Sequence, residues 1–168
     1  MEFENKVLSS EIQRIMYEAG LTLSTAESCT GGHIAESIIA VPGSSEYFKG
    51  GIISYTNEIK ERLLGVDPQL IAEKTAVCEE VAMAMVRGAN KAMHTDYAIA
   101  ATGIAGPGGG TKEIPVGTIW LACGSSDEIE TFKIEEDEGR DKNLANATSK
   151  ALHLFLGFLN KHVTKTEE

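Results

Sequence analysis

The pattern of apolar and polar positions predicts helices that alternate with strands. An apolar residue recurs every three or four positions over 4–19, which predicts an amphipathic helix that Gly20 ends. Alternation over 21–27 predicts a strand, and 33–40 again has helical spacing. The later predicted elements are a strand over 51–56, a helix with Asn57 as its N-cap, helices over 68–74 and 79–94, a strand over 96–102, a hairpin of 116–124 and 128–136, and a helix over 140–163.

This order of elements predicts an α/β fold. Strands that alternate with helices over the first hundred residues favour right-handed crossovers and a parallel sheet. The hairpin that follows adds antiparallel strands, so we expect a three-layer α/β/α sandwich around a mixed, mostly parallel sheet of about five strands. At 168 residues the chain is expected to form one domain over 1–168, with 164–168 as a frayed tail.

The charge balance limits the partners. Fifteen Lys and Arg against 25 Asp and Glu leave a net charge of −10, which argues against nucleic acid and anionic membranes, because a basic surface supplies most of that affinity. Seven acids and one lysine lie within 127–138, so a local basic pocket for a phosphate is still compatible with the rest of the chain. With no secretory signal and no long apolar run, the protein is expected to be cytoplasmic.

The cysteines do not form a recognisable metal motif. Cys29, Cys78 and Cys123 are widely spaced and no CxxC occurs, which favours small buried thiols in a reducing compartment. Cys29 and His33 stand four residues apart, a spacing that on a helix would put them on one face, but no further ligands are visible. We therefore expect no metal and no cofactor.

Three loops carry the candidate chemistry. Ligands in open α/β sheets bind beyond the carboxyl ends of the parallel strands, where this chain has 28–32 (SCTGG), 55–57 (YTN) and 102–110 (TGIAGPGGG). Ser28 stands where a strand turns into a helix, so it is either an ordinary N-cap or a nucleophile beside free N–H groups that can hold an oxyanion or a phosphate. The five glycines of 102–110 either let the backbone approach a ligand or form a flexible connection.

A serine nucleophile needs a base, and Lys60 is the best-placed candidate. A lysine acts as a base only when it is neutral, which requires burial to lower its pKa from about 10.4 to near 7.5. The alternative for Lys60 is a solvated side chain paired with a glutamate. His33 is a second, weaker candidate for the base.

Together these segments resemble the CinA C-terminal domain, whose active members are nicotinamide-nucleotide amidohydrolases. The similar stretches are 26–32, 41–51, 54–66 and 102–118, and the resemblance extends over about 8–160. It implies the stand-alone form of the family, without the molybdopterin-cofactor-like domain that some members carry.

The resemblance also implies roles for individual residues. Ser28 matches the nucleophile, Lys60 the lysine and Tyr55 the tyrosine of the family, while Thr102 matches a substrate-contacting position. Arg140 matches the first arginine of a basic motif before the last helix. Two positions depart from the family pattern, namely Leu144 in place of a second arginine and Cys78 in place of a capping serine.

Our interpretation is an amidohydrolase that converts nicotinamide mononucleotide to nicotinate mononucleotide and ammonia. Its small-molecule partner is a pyridine nucleotide, and the sequence leaves open whether the chain forms a homo-oligomer. Two alternatives remain, a non-catalytic nucleotide- or partner-binding module of the same fold and a serine amidase for another small amide. The predicted substrate-binding residues are Thr30, Gly31, Gly32, Asn57, Thr102, Gly103, Gly106 and Arg140.

Overall fold

The computed structural model describes residues 2–164, and the predicted frayed tail lies outside them apart from its first residue. No helix within this described part is long and apolar enough to cross a membrane. The elements are α1 (Glu2–Ala19), β1 (Leu23–Glu27), α2 (His33–Ile39), a 3-10 turn (Ser44–Glu46), β2 (Phe48–Ile53), α3 (Asn57–Leu64), α4 (Pro68–Lys74), α5 (Glu79–Met93), β3 (Tyr97–Gly103), β4 (Ile119–Gly124), β5 (Ile129–Ile134) and α6 (Arg140–His162).

The strands form one mixed sheet in the order β2-β1-β3-β4-β5. β1 is parallel to both β2 and β3, whereas β4 and β5 are antiparallel additions. This confirms the predicted three-layer α/β fold with five strands. The chain leaves β1 toward β2 on one side and later returns to β3 on the other. The carboxyl end of β1 is therefore the topological switch point, where open sheets of this class bind ligands.

Helices cover both faces of the sheet and enclose two apolar cores. One core joins the sheet to α1, α2 and α6, and the other joins it to α3, α4 and α5. Side chains alternate between these faces, so Leu23 lies in the first core and Ala26 in the second. By the same alternation, Glu27 faces α2, and Ser28, the next residue, faces α3.

Several boundaries differ from the predicted ones, among them those of β2, β4 and α3. β2 begins at Phe48 rather than at 51, because the glycines that follow Phe48 pair with β1 although they interrupt the apolar alternation. β4 begins at Ile119 rather than at 116. The N-cap of α3 is Thr56, not Asn57 as predicted, because Thr56 has the extended backbone of a cap and its side chain accepts the N–H of Ile59 at 3.3 Å.

Candidate active site

The carboxyl end of β1 brings Ser28 together with Lys60. Ser28 directly follows the strand and faces the α3 layer, and Lys60 lies one turn into α3. Lys60 Nζ donates a hydrogen bond to Ser28 Oγ at 2.8 Å. Both side chains are buried, with 6% of Ser28 and 2% of Lys60 exposed. A nucleophile and a base candidate separated by 32 residues are therefore in direct contact.

The surroundings of Lys60 favour its neutral form. Burial lowers the pKa of the Lys60 ammonium from its ordinary value, and a negative charge on the nearby Cys29 sulfur would oppose this only in part. Within residues 2–164, no carboxylate forms an ion pair with Lys60, and its hydrogen-bond partner is the Ser28 hydroxyl. The solvated lysine paired with a glutamate, which the sequence also allowed, is therefore wrong.

Two neighbouring side chains are poor substitutes for this pair. Burial raises the pKa of the Cys29 thiol to about 12, so the thiolate that would compete as a nucleophile is scarce at neutral pH. The exposed His33 ring points along α2, where its Nδ1 lies 3.3 Å from a Glu36 carboxylate oxygen. No group of three His, Cys, Asp or Glu side chains in the described chain is placed to hold a metal ion.

Ser28 is not the N-cap of α2. The cap is Gly32, which has no side chain to offer, and the N–H groups of Ile34 and Ala35 instead bond the Glu27 carboxylate at 2.8 and 3.0 Å. Glu27 is 1% exposed, and its role was missed at the sequence level. The available signal was its place in the alternation, which puts Glu27, at the end of the strand, on the same face as Leu21 and Leu23; a carboxylate on such a face is almost never fully buried unless paired.

The turn between β1 and α2 leaves backbone donors beside Ser28. The N–H of Ser28 bonds the Ala101 carbonyl at 2.9 Å, and that of Gly31 bonds the Ser28 carbonyl at 3.0 Å. No oxygen of the described residues accepts the N–H of Cys29 or Thr30. The Cys29 sulfur lies within hydrogen-bonding reach of both N–H groups, and a sulfur is a weak acceptor. Two adjacent amides without an oxygen acceptor, next to a serine hydroxyl, are candidate donors to an oxyanion.

A cavity of about 290 Å³ opens above this turn. Another cavity of about 280 Å³ lies among α1, α2 and α6, so volume alone does not select between them. The first has Ser28, the hydrogen-bond partner of Lys60, in its wall, and among the described residues the second has no comparable serine–lysine pair. The first cavity is lined by Ser28, Cys29, Tyr55, Gly103, Ile104, Ala105, Gly106, Gly108, Gly109 and Arg140.

The predicted site residues divide between the cavity and its surroundings. Five of them line it, while Lys60 lies behind Ser28 at its floor. Thr102 is 1% exposed and donates its hydroxyl to the Ala76 carbonyl at 2.9 Å, away from the cavity. The wall, as the described residues form it, also lacks Thr30, Gly31, Gly32 and Asn57.

The mouth of the cavity is organised by the first turn of α6. Arg140 is exposed and donates to the Gly106 carbonyl at 2.8 Å and to the Tyr55 hydroxyl at 3.3 Å. Asn143, a further residue missed at the sequence level, donates to the Ala105 carbonyl at 3.0 Å. Leu144, which replaces the second arginine, is half-buried and packs against the core with α1 and α2. The glycine loop is thus tied to α6 rather than left as a flexible connection.

Comparison with known proteins agrees with this architecture. The sequence matches the model of the CinA C-terminal domain over residues 5–159, nearly the whole chain. The chain belongs to the CinA family. It is 49% identical over 139 residues to a CinA-like protein of Geobacter sp. (strain M21), a match that covers 82% of this chain and 34% of that protein.

Solved structures of the CinA family have the same fold. The competence/damage inducible protein CihA from Agrobacterium tumefaciens superposes with a TM-score of 0.89 at 35% identity, covering 92% of this chain and 94% of that one. The competence damage-inducible protein A (ComA) from Klebsiella pneumoniae superposes with a TM-score of 0.89 at 31% identity, covering 93% of this chain and 97% of that one. The chain spans about a third of the length of the curated relatives it matches.

Proposed function

We propose that this CinA domain is an amidohydrolase that deamidates nicotinamide mononucleotide. The observation that carries the proposal is the 2.8 Å hydrogen bond from Lys60 Nζ to Ser28 Oγ in a buried setting without a carboxylate partner. A lysine whose pKa is lowered far enough to be neutral near neutral pH can accept the serine proton. A serine that cleaves an amide requires such a base.

Acylation begins when Ser28 Oγ attacks the carboxamide carbon while Lys60 takes the hydroxyl proton. We assign the oxyanion to the amide of Cys29, which lines the cavity, and to the amide of Thr30 that follows it, because neither N–H bonds an oxygen of the described residues. The protonated Lys60 then gives its proton to the leaving nitrogen, which departs as ammonia and leaves an acyl ester on Ser28. The family tyrosine, Tyr55, which the resemblance places near this proton transfer, instead has its hydroxyl in contact with Arg140 at the mouth.

Deacylation repeats the sequence with water. Lys60 takes a proton from the water as its oxygen attacks the ester carbon, and the proton returns to Ser28 Oγ when the carbon–oxygen bond breaks. The product is nicotinate mononucleotide, and Lys60 is neutral again. In each half-reaction Lys60 accepts one proton and releases one, so Ser28 and Lys60 need no further acid or base.

Arg140 supports a phosphate-bearing substrate. It is the charged side chain of the cavity wall formed by the described residues, in a chain of net charge −10. Two of its N–H groups bond Gly106 and Tyr55, and a guanidinium has five, so others remain for an anion. A phosphate held this way at the mouth places the carboxamide toward the floor.

The test is ammonia release from the purified protein supplied with nicotinamide mononucleotide, beside free nicotinamide and NAD as controls. Ser28→Ala should lower turnover by on the order of a thousandfold or more, because it removes the nucleophile, whereas the exposed Ser45→Ala is the matched control that should retain it. A folded Ser28→Ala variant with near-wild-type turnover would contradict the mechanism. Release from free nicotinamide alone would move the function to another small amide.

A further inference from the structure

The buried carboxylate of Glu27 lies directly behind the reactive turn. We propose that Glu27 is a positioning residue that holds Ser28 and the amides of Cys29 and Thr30 in register for the oxyanion. This inference rests on the proposed function, because it assigns Glu27 a part in the same reaction. It names a residue that does not touch the substrate.

The contacts of Glu27 close the turn from both ends. Its two carboxylate oxygens accept the N–H groups of Ile34 and Ala35, and its backbone carbonyl accepts the N–H of Ser54 at 2.8 Å. The segment 28–32 is thereby bridged between the last residue of β1 and the first turn of α2. Gly31 and Gly32 within that segment have φ values of 54° and 106°, which favour glycine, so the segment has little stiffness of its own.

The position of Glu27 in the strand explains how a buried carboxylate can lie close to the site without forming an ion pair with Lys60. Alternation directs its side chain toward α2, while Ser28 and Lys60 lie on the other face of the sheet. A carboxylate on the Lys60 face would form an ion pair with the lysine and keep it protonated. On its own face, the charge is satisfied by two N–H donors, as a buried carboxylate requires.

Alignment of the oxyanion donors affects the transition state more than the bound substrate. The negative charge on the oxygen develops only during attack, so donors held slightly out of place lower kcat and leave KM nearly unchanged. A role confined to stability would have a different signature. It would lower the melting temperature and leave kcat intact in the folded protein.

The test compares Glu27→Gln with Asp96→Asn. The glutamine keeps one acceptor and turns an NH2 group toward the second amide. Asp96 is an exposed carboxylate at the opposite end of the same strands, where one of its oxygens accepts the Thr22 N–H at 2.8 Å and the Thr22 hydroxyl at 2.9 Å. Glu27→Gln should lower kcat about 10- to 100-fold, with KM changed less than about twofold, and Asp96→Asn should leave both unchanged.

A second readout is the rate at which a small fluorophosphonate modifies Ser28, which uses the same amides but needs no nucleotide. Glu27→Gln should slow this labelling by a similar factor, and Ser28→Ala should abolish it. If the wild type is labelled but releases no ammonia, the proposed substrate is wrong. The labelling rates of wild type and Glu27→Gln still test the role of Glu27 in that case. Unchanged labelling and kcat in folded Glu27→Gln overturn the inference. A wild type inert in both assays overturns both proposals.

The pH profile separates positioning of the amides from an effect on the base. The limb of kcat/KM that follows deprotonation of Lys60 should keep its midpoint in Glu27→Gln, because the carboxylate faces the other layer. A shifted midpoint would show that Glu27 acts through the charge of Lys60, and would overturn the assignment to the amides.

Discussion

The floor of the cavity has the basic side chain of Lys60, and the mouth has that of Arg140. The surroundings of these two side chains have opposite effects on their charge. At the floor, Lys60 is 2% exposed, contacts a neutral hydroxyl, and has its pKa lowered by burial. At the mouth, Arg140 is exposed and donates to a carbonyl and a phenol. The floor favours loss of a charge, and the mouth retains one.

The contrast follows from placement more than from residue type. Lys74, on the surface, donates to a Glu80 carboxylate oxygen at 2.9 Å, and that contact raises the pKa of the Lys74 ammonium. The same side chain is therefore pushed toward the neutral form in one place and toward the charged form in another. An arginine is charged at any working pH, so it suits the mouth and would fail at the floor.

The largest effect is expected from placing a permanent charge at the floor. Lys60→Arg should lower kcat at least about a hundredfold, because a guanidinium cannot accept the Ser28 proton at neutral pH. In the wild type, kcat/KM should rise with pH as Lys60 deprotonates at its lowered pKa, and this limb should be absent in the variant.

The matched control is Lys74→Arg, which makes the same exchange on the surface and should leave kcat unchanged. Steady-state ammonia release across a pH series measures both variants. A Lys60→Arg enzyme with wild-type turnover would transfer the role of base to water and remove the distinction between floor and mouth.

The next largest effect tests the mouth. Arg140→Ala should raise KM for nicotinamide mononucleotide by about tenfold or more, since a hydrogen bond to a charged group contributes about 1.5–3 kcal/mol, with a smaller change in kcat. The riboside, which lacks the phosphate, should be affected little. Initial rates with both substrates provide the measurement.

Because Arg140 also bonds Gly106 and Tyr55, the control is Tyr55→Phe, which removes one of these contacts and keeps the charge. Its KM for the mononucleotide should stay near the wild-type value. Equal losses on both substrates in Arg140→Ala would mean that the arginine orders the glycine loop. No loss on either would place the phosphate elsewhere.

Much of the floor could be predicted from the sequence. Apolar periodicity located the helices and strands, and their order implied that the loops after β1, β2 and β3 meet at one edge of the sheet. Ser28 and Lys60 could be named as partners because Ser28 directly follows β1 and Lys60 lies in the first turns of the helix that follows β2. Their distance and the burial of Lys60 required the folded chain, since helix periodicity does not report what covers a lysine.

The mouth and the back of the turn were harder to predict. The contact of Arg140 with Tyr55 spans 85 residues, and nothing local in either segment indicates it. Glu27 caps a helix that begins after a five-residue turn, whereas the usual cap is the residue next to the helix. Asn57 was the predicted cap of α3, and the cap is Thr56 because Thr56 has the extended backbone of a cap, which two adjacent polar residues do not reveal.

The smallest expected effect is on the free energy of unfolding. It tests the lowered pKa of Lys60 without an assay of activity. A lysine whose folded pKa lies below its unfolded value of 10.5 destabilises the fold when it is protonated.

The unfolded chain binds more protons than the folded chain at pH values between those two pKa values, so the free energy of unfolding rises with pH across that window. Lys60→Met should therefore be stabilised relative to the wild type near neutral pH, and the gain should shrink as the pH approaches 10.5. The lost hydrogen bond to Ser28, at about 1 kcal/mol, offsets part of the gain.

Urea denaturation of both proteins at several values between about pH 7 and pH 10 measures this difference. Lys142→Met is the control, because Lys142 is exposed beside the mouth and such surface changes usually stay within about 0.5 kcal/mol. A difference between Lys60→Met and wild type that stays constant with pH would mean that Lys60 has its ordinary pKa. The floor and the mouth would then hold equivalent cations, and the serine would lack its base.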